Sequence, residues 1–289
     1  MRFVAIDLGS MTPPDIIETL DYETILAALK DDMQARMEDE GLDFDVQDLE
    51  SDPAVKILEV AAAREVVLRA RVNGAAKALL LALAQGTDLE ALGAWFGVER
   101  ATGETDARFR QRIQLAPQAF STAGPYGAYE FHALTAAPSI KSVGVVNPRA
   151  GSPSVVVYPL SSTGNGQPSE DELDAIRAVL LSKDVKPLTD VVTVTSPKIV
   201  EQVIDVTLMV KEGPDVSTLI TAAKAALEEY ALARHKVGDP LYLSGIYQAA
   251  QVPGAEHVVI NSPTADVDPG ANGAVYVPSV AVTHKVLSV

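Results

Sequence analysis

The sequence predicts an α+β protein, with an N-terminal module built on one long helix followed by two small mixed α/β sandwich domains. Three observations predict this. Apolar side chains recur at three- and four-residue steps between Pro53 and Gln85, which is a helical period. From about residue 138 short apolar runs bounded by Pro, Gly and Asn replace that texture. Hairpins then mix with packed helices instead of alternating as regular βαβ units. The corresponding division is 1–50 for an arm and first helix, 51–117 for the helical module, and 118–197 and 198–289 for the two α+β domains.

Residues 1–14 read as an extended arm closed by Thr12-Pro13-Pro14, and a first amphipathic helix is expected over Asp15 to Glu40. Residues 31–52 are strongly acidic with Arg36 as the single basic residue, a solvated face and loop. Ser51-Asp52-Pro53 supplies a cap and then Pro at the first helical position. The helix that follows is expected to reach Gln85, roughly 50 Å at 1.5 Å per residue. Leu58, Ala61, Leu68, Val72, Ala75, Leu79 and Leu83 form its apolar seam, interrupted by Glu65. A long helix with one narrow seam packs against another long helix, in its own chain or a neighbour's. Gly74 costs about 1 kcal/mol relative to Ala, and close approach of a second backbone would explain it.

Gly86 is expected to end that helix. Thr87 and Glu90 have capping-box spacing and predict a short helix running to Gly97. Helix resumes over about 104–115, where Glu104–Arg108 and Asp106–Arg110 are acid-first i,i+4 pairs and Phe109 and Ile113 face inward. Strands are expected at 139–147 and 154–160, joined by Pro148-Arg149-Ala150-Gly151. A helix capped by Ser169 and Glu172 extends to about Ser182, and a strand covers 190–196. The second α+β unit reads as strand 199–211, helix 215–235, short helix 244–251, strand 256–261 and a last strand within 274–286.

Composition narrows the function. The 289 residues are 47% hydrophobic and 21% charged, an ordinary globular balance, with a net charge of −16 that opposes both nucleic acid and anionic membrane surfaces. There is no cysteine, which removes disulfides, Cys-ligated metal and thiol nucleophiles. The start MRFVAIDLGS has no cleavable signal layout and no apolar run approaches membrane-spanning length, so synthesis in the cytoplasm is expected. His132, His235, His257 and His284 form no ligand pair, and no nucleophile elbow, Walker loop or dinucleotide loop is present. Phe3–Ser10 resembles the first phosphate loop of actin-like ATPases, but Pro13-Pro14 removes the donors of the hairpin that must follow. No catalytic, cofactor-binding or metal-binding residue is assigned.

GVERATGETDARFRQRI, residues 97–113, is the one stretch dense in opposed charges. As a catalytic carboxylate pair it is poorly tuned, because each acid has an Arg neighbour that lowers its pKa. Local phosphate binding through Arg100, Arg108 and Arg112 is a second reading. As a structural network the stretch orients a helix start or a subunit contact, since exposed pairs contribute little stability individually.

An ordered set of motifs then identifies a resemblance. Asp52-Pro53-Ala54-Val55-Lys56-Ile57-Leu58-Glu59, Arg71-Val72-Asn73, Leu83-Ala84-Gln85-Gly86-Thr87-Asp88-Leu89, Gly97-Val98-Glu99-Arg100, Glu104-Thr105-Asp106 and Phe109-Arg110-Gln111-Arg112-Ile113 are similar to the baseplate J-like family of contractile phage tails and tailocins. The stretches Gln118–Leu134, Pro187-Leu188-Thr189-Asp190 and Val258–Pro263, with the Ala5–Leu8 arm, extend the match over nearly the whole chain. The resemblance implies a non-enzymatic baseplate wedge component, made in the host cytoplasm and ending in the virion or tailocin baseplate. Two copies would pair through long helices joined by a smaller wedge protein. The C-terminal domains would meet neighbouring wedges and close a ring around the central hub and sheath-initiator proteins. Neither nucleic acid nor membrane is an expected partner. The family motif nominates Leu58, Leu68, Val72, Asn73, Gly86, Asp88, Leu89, Arg100, Glu104, Asp106, Arg110 and Arg112 as assembly residues. Two other classes remain: an adaptor that attaches a tail fibre without joining the ring, and an enzyme using the Glu/Arg cluster at 99–112.

Overall fold

The computed structural model describes residues 6, 8, 11–12, 14–42, 52–121, 123–211 and 216–287. Most of the expected arm and residues 43–51 of the acidic stretch, Ser51 included, lie outside the described residues. Contacts divide the chain into Ile6–Arg100, whose described elements are helices, and a unit holding Ala101–Val289 that adds small mixed sheets, together an α+β fold.

In the first unit, α1 spans Tyr22–Asp39 and α2 spans Pro53–Ala78. The expected start of α1 at Asp15 is corrected by its cap: Asp21 accepts from Glu23 N at 3.0 Å, so the helix begins at Tyr22. For α2, Asp52 accepts from Ala54 N at 2.7 Å and Pro53 occupies the first helical position, as its sequence requires. Ile25 and Leu26 of α1 pack on Ala62, with Leu58 and Val66 alongside. Helix α2 has 26 residues, about 39 Å, and stops short of Gln85. Leu79 and Leu80 donate three residues back, tightening the last turn, and Leu80 O then receives both Leu83 N and Ala84 N.

Helix α3 covers Gly86–Trp95. Gly86 has φ +52 and opens α3 instead of ending α2. The expected Thr87–Glu90 capping box does not form; Gln85 is the cap residue and makes no side-chain bond. Glu90 accepts instead from Arg100 Nε at 2.8 Å, a tertiary partner that displaces the local one.

In the second unit, α4 (Asp106–Ala119) packs on α5 (Tyr126–Ala136), a helix the sequence reading did not assign. Strands β1 (Ile140–Val146) and β2 (Ser154–Ser161) form an antiparallel hairpin, and β3 (Val191–Val194) joins β2 in parallel. Helix α6 (Glu170–Leu180) begins with the predicted capping box, Ser169 and Glu172 each satisfying the other's backbone N–H. Leu115, Tyr129, Leu134, Ile140, Leu173, Ile176 and Leu180 build this core.

The expected strand 199–211 is two strands. β4 (Lys198–Glu201) pairs in parallel with β7 (Gly273–Tyr276), and β5 (Ile204–Val210) lies between β6 (His257–Ser262) and β8 (Val280–Val286). The last strand expected within 274–286 is β8, and a further strand, β7, precedes it across Pro278, which has no N–H to continue a ladder. Helices α7 (Val216–Arg234) and α8 (Leu243–Ala250) cover the central sheet through Leu227 and Ile246, around Ile204 and Leu208. The two α+β halves meet through Leu160, Val237 and Ala274. Gly144 of β1 is required there, because a Cβ would lie 2.4 Å from Val237 Cγ1.

Candidate functional site

Two arrangements collect the nominated residues, one in each unit. On α2, the face toward α1 carries Leu58, Ala62 and Val66. A different face of the same helix carries Ile57, Val60, Val67, Leu68 and Val72, continued by Leu79 at the C-cap, all exposed, with Leu68 at 64% and Val72 at 60%. Most of the predicted seam is therefore uncovered in the protomer, and Leu58 is the member of the nominated set that turns to α1. The side-chain position of Gly74 is open: a Cβ there would meet nothing in the chain. Trp95, the single tryptophan, is 87% exposed on α3 and was not nominated. Single exposed apolar residues are ordinary, but a row of six along one helix needs a partner or it becomes an aggregation liability.

The polar edge of α2 locks the approach to α1. Asn73 is buried and uses both ends of its amide: Nδ2 donates to Glu18 O at 2.8 Å and Oδ1 accepts from Glu18 N at 3.1 Å. Arg69 joins Glu65 to Glu18 through bonds of 2.6 and 3.0 Å. The seam-breaking Glu65 is thus held by Arg69 of its own helix, which Glu18 of the segment preceding α1 binds in turn. At the other end of the unit, Arg100 Nη2 donates to Gly86 O at 3.3 Å besides binding Glu90. Leu89 is fully buried under α3, and Asp88 lies exposed in its first turn, where a carboxylate is favourable.

The charged stretch at 97–113 straddles the division of the chain: Gly97–Arg100 belongs to the first unit and Ala101–Ile113 to the second. In the second unit Glu104 is fully buried and binds Arg108 through Oε1 and Arg112 through Oε2, the latter at 2.7 Å. Its Oε2 also accepts from Ala101 N at 3.0 Å. Arg112 is buried and donates to Thr135 Oγ1 at 3.3 Å. Arg108, which was not nominated, closes the C-terminus of α5 by donating to Leu134 O at 2.5 Å and Ala137 O at 3.2 Å, and it reaches Ile140 O of β1 at 3.3 Å. Burial pushes the Arg108 guanidinium down, and Glu104 opposes that shift. Asp106 begins α4 and Arg110 lies one turn along it, half-buried.

This triad is chemically closed. Both carboxylate oxygens of Glu104 are committed to cations, and one of those cations caps a helix, so the group is arranged to hold α4 against α5 and β1. Among the described residues no cluster of three or more His, Asp or Glu side chains is placed to hold a metal ion, and no helix is long and apolar enough to cross a membrane.

Comparison with known proteins adds sequence relatives. Residues 50–105 match the family model of the Baseplate J-like N-terminal domain, residues 121–196 that of the Baseplate J-like central domain, and residues 203–283 that of the Baseplate J-like protein C-terminal domain. The chain is 38% identical over 279 residues to baseplate protein J of Escherichia phage P2, covering 91% of this chain and 92% of that protein.

Proposed function

The chain belongs to the baseplate J-like protein family and is a structural component of a phage-tail baseplate, and on that premise we propose that it acts as a wedge subunit whose helix α2 pairs with a second copy. A smaller wedge protein completes the same helical bundle, and the second unit meets neighbouring wedges around the hub. The observation that carries this reading is the uncovered apolar face of α2, with Leu68 and Val72 at its centre. Fully burying a Leu or Val side chain contributes about 1.5–3 kcal/mol, so a six-residue face is enough to drive helix pairing once a partner shares it. The closed Glu104 network supports a scaffold over an enzyme, because it offers no free acid or base. Its role is to fix the start of the second unit so that the contacts it makes on assembly have one geometry.

The test is the double variant Leu68→Asp/Val72→Asp. Both positions are exposed in the protomer, so circular dichroism of the isolated chain stays that of wild type. Light scattering with co-expressed tail proteins gives wild-type wedge complexes and, for the variant, free chains. Normal complexes from the variant would overturn the role of α2.

A further inference from the structure

We infer that the cleft between the start of α4 and β1 is a second docking site, which receives the acidic C-terminal end of α1 from another copy of this chain. The cleft holds about 580 Å³ and is lined by Glu104, Thr105, Arg108, Gln111, Ser139 and Lys141, among others. Its one carboxylate, Glu104, is fully buried and already bound to Arg108 and Arg112. Lys141 therefore sets the charge that the cleft shows to a visitor.

Lys141 lies at the irregular step in the β1–β2 register, between Ile140 and Ser142. Its ammonium carries three donors, and among the described residues it meets His235 Nδ1, at 2.9 Å. That partner is neutral at best and supplies no counter-charge. Burial pushes the Lys141 ammonium down, and among the described residues no ion pair to a carboxylate offsets it. A half-buried cation without an anion is a local electrostatic deficit that an incoming carboxylate removes. The Gln111 amide offers a further polar contact around it, while the Ser139 hydroxyl is already given to Glu172 and Thr105 Oγ1 accepts from Arg108 N as the cap of α4.

The complementary deficit sits on α1. Glu38, Asp39 and Glu40 are exposed at its C-terminus, where the helix dipole is negative and acids are unfavourable. The nearest basic residue in sequence, Arg36, is engaged with Asp32 at 3.4 Å. The sequence stays acidic as far as Glu50, with no basic residue between Arg36 and Lys56. A helix end carrying three acids and a cleft carrying an unneutralised lysine each lower their free energy by meeting. The inference rests on the reading that copies of this chain come together in an assembly; the contact it adds is distinct from the apolar face of α2.

Zero-length carbodiimide cross-linking tests it, since this reagent joins an amine only to a carboxylate in contact with it. Full-length copies carrying light and heavy nitrogen are mixed before assembly, cross-linked and digested. The expected product is a mixed light–heavy peptide pair joining Lys141 to Glu38, Asp39 or Glu40. Its yield falls at least tenfold in Lys141→Arg, which keeps the charge but lacks the reactive amine, and in Glu38→Gln/Asp39→Asn/Glu40→Gln. Absence of a Lys141 cross-link to these acids overturns the inference, and so does a cross-link found only within single copies. Solution mass of the same sample reads pairing separately. A two-copy mass without the Lys141 product sinks this contact and leaves α2 pairing standing, whereas a one-copy mass sinks the pairing itself.

Discussion

Glu104 and Arg112 meet at 2.7 Å with their side chains 0% and 5% exposed, and the second Glu104 oxygen holds Arg108. A carboxylate between two guanidiniums in a protein interior is worth less as net stability than as fixed geometry, because desolvation offsets much of the Coulomb attraction. Removing the carboxylate is another matter. Glu104→Ala leaves the buried Arg112 and the half-buried Arg108 without their shared anion and should destabilise the chain by about 3–5 kcal/mol. Urea unfolding checks this. A loss below 1 kcal/mol would mean that the triad is solvated in practice.

The Asn73 amide performs the corresponding task in the first unit. Replacing it by Ala leaves the Glu18 N–H and carbonyl without partners in a half-buried setting, a loss of about 1–3 kcal/mol. Hydrogen exchange locates the effect: the Glu18 amide should lose protection in Asn73→Ala while amides in α7 keep theirs. Unchanged protection at Glu18 would show that α1 docks without this bond.

His235 predicts how stability varies with pH. Burial, then the Lys141 charge, push its pKa down from 6.5 to about 4, with the Asn165 carbonyl opposing, and its Nε2 is buried without a hydrogen bond. The folded chain refuses a proton that the unfolded chain binds. His235 is therefore without effect above pH 6.5, and stability falls as pH drops from 6.5 toward 4, by at most about 1.4 kcal/mol per pH unit. The urea midpoint of wild type should fall more steeply than that of His235→Gln between pH 6.5 and 4.5. Parallel slopes would contradict the assignment.

Much of this architecture was legible where a local signal met no tertiary rival. Asp52-Pro53 starts α2 and Ser169 with Glu172 starts α6 as their spacing requires. Thr87 and Glu90 have equally good spacing, yet Arg100, ten residues beyond Glu90, takes its carboxylate. Helix α5 was missed because Tyr129, Ala133 and Leu134 are buried beside Gly127 and Ala128, and no side chain caps the first turn. The strand at 199–211 reads as one apolar run because β4 and β5 belong to different sheets, and only the pairing partners separate them.

The candidate sites were legible to a different degree. Periodicity marked the α2 seam but could not say which part of it α1 would cover; Ala62, packed on Ile25 and Leu26, decides that. Glu104–Arg108 was visible as an i,i+4 pair. The second arginine on Glu104, and the capping of α5 by Arg108, depend on α5 packing against α4, which no local pattern contains.

The proposed pairing of α2 with a second copy through its exposed face is open to a direct chemical test. The chain has no cysteine, so a single introduced thiol reports on its own position. Val72→Cys, oxidised after assembly, should give a disulfide-linked pair of chains, because parallel pairing of the two α2 helices through this face brings the two Val72 positions within disulfide reach. Glu170→Cys, exposed on α6, is the control and should remain largely single-chain. No more covalent dimer from Val72→Cys than from Glu170→Cys would contradict the account.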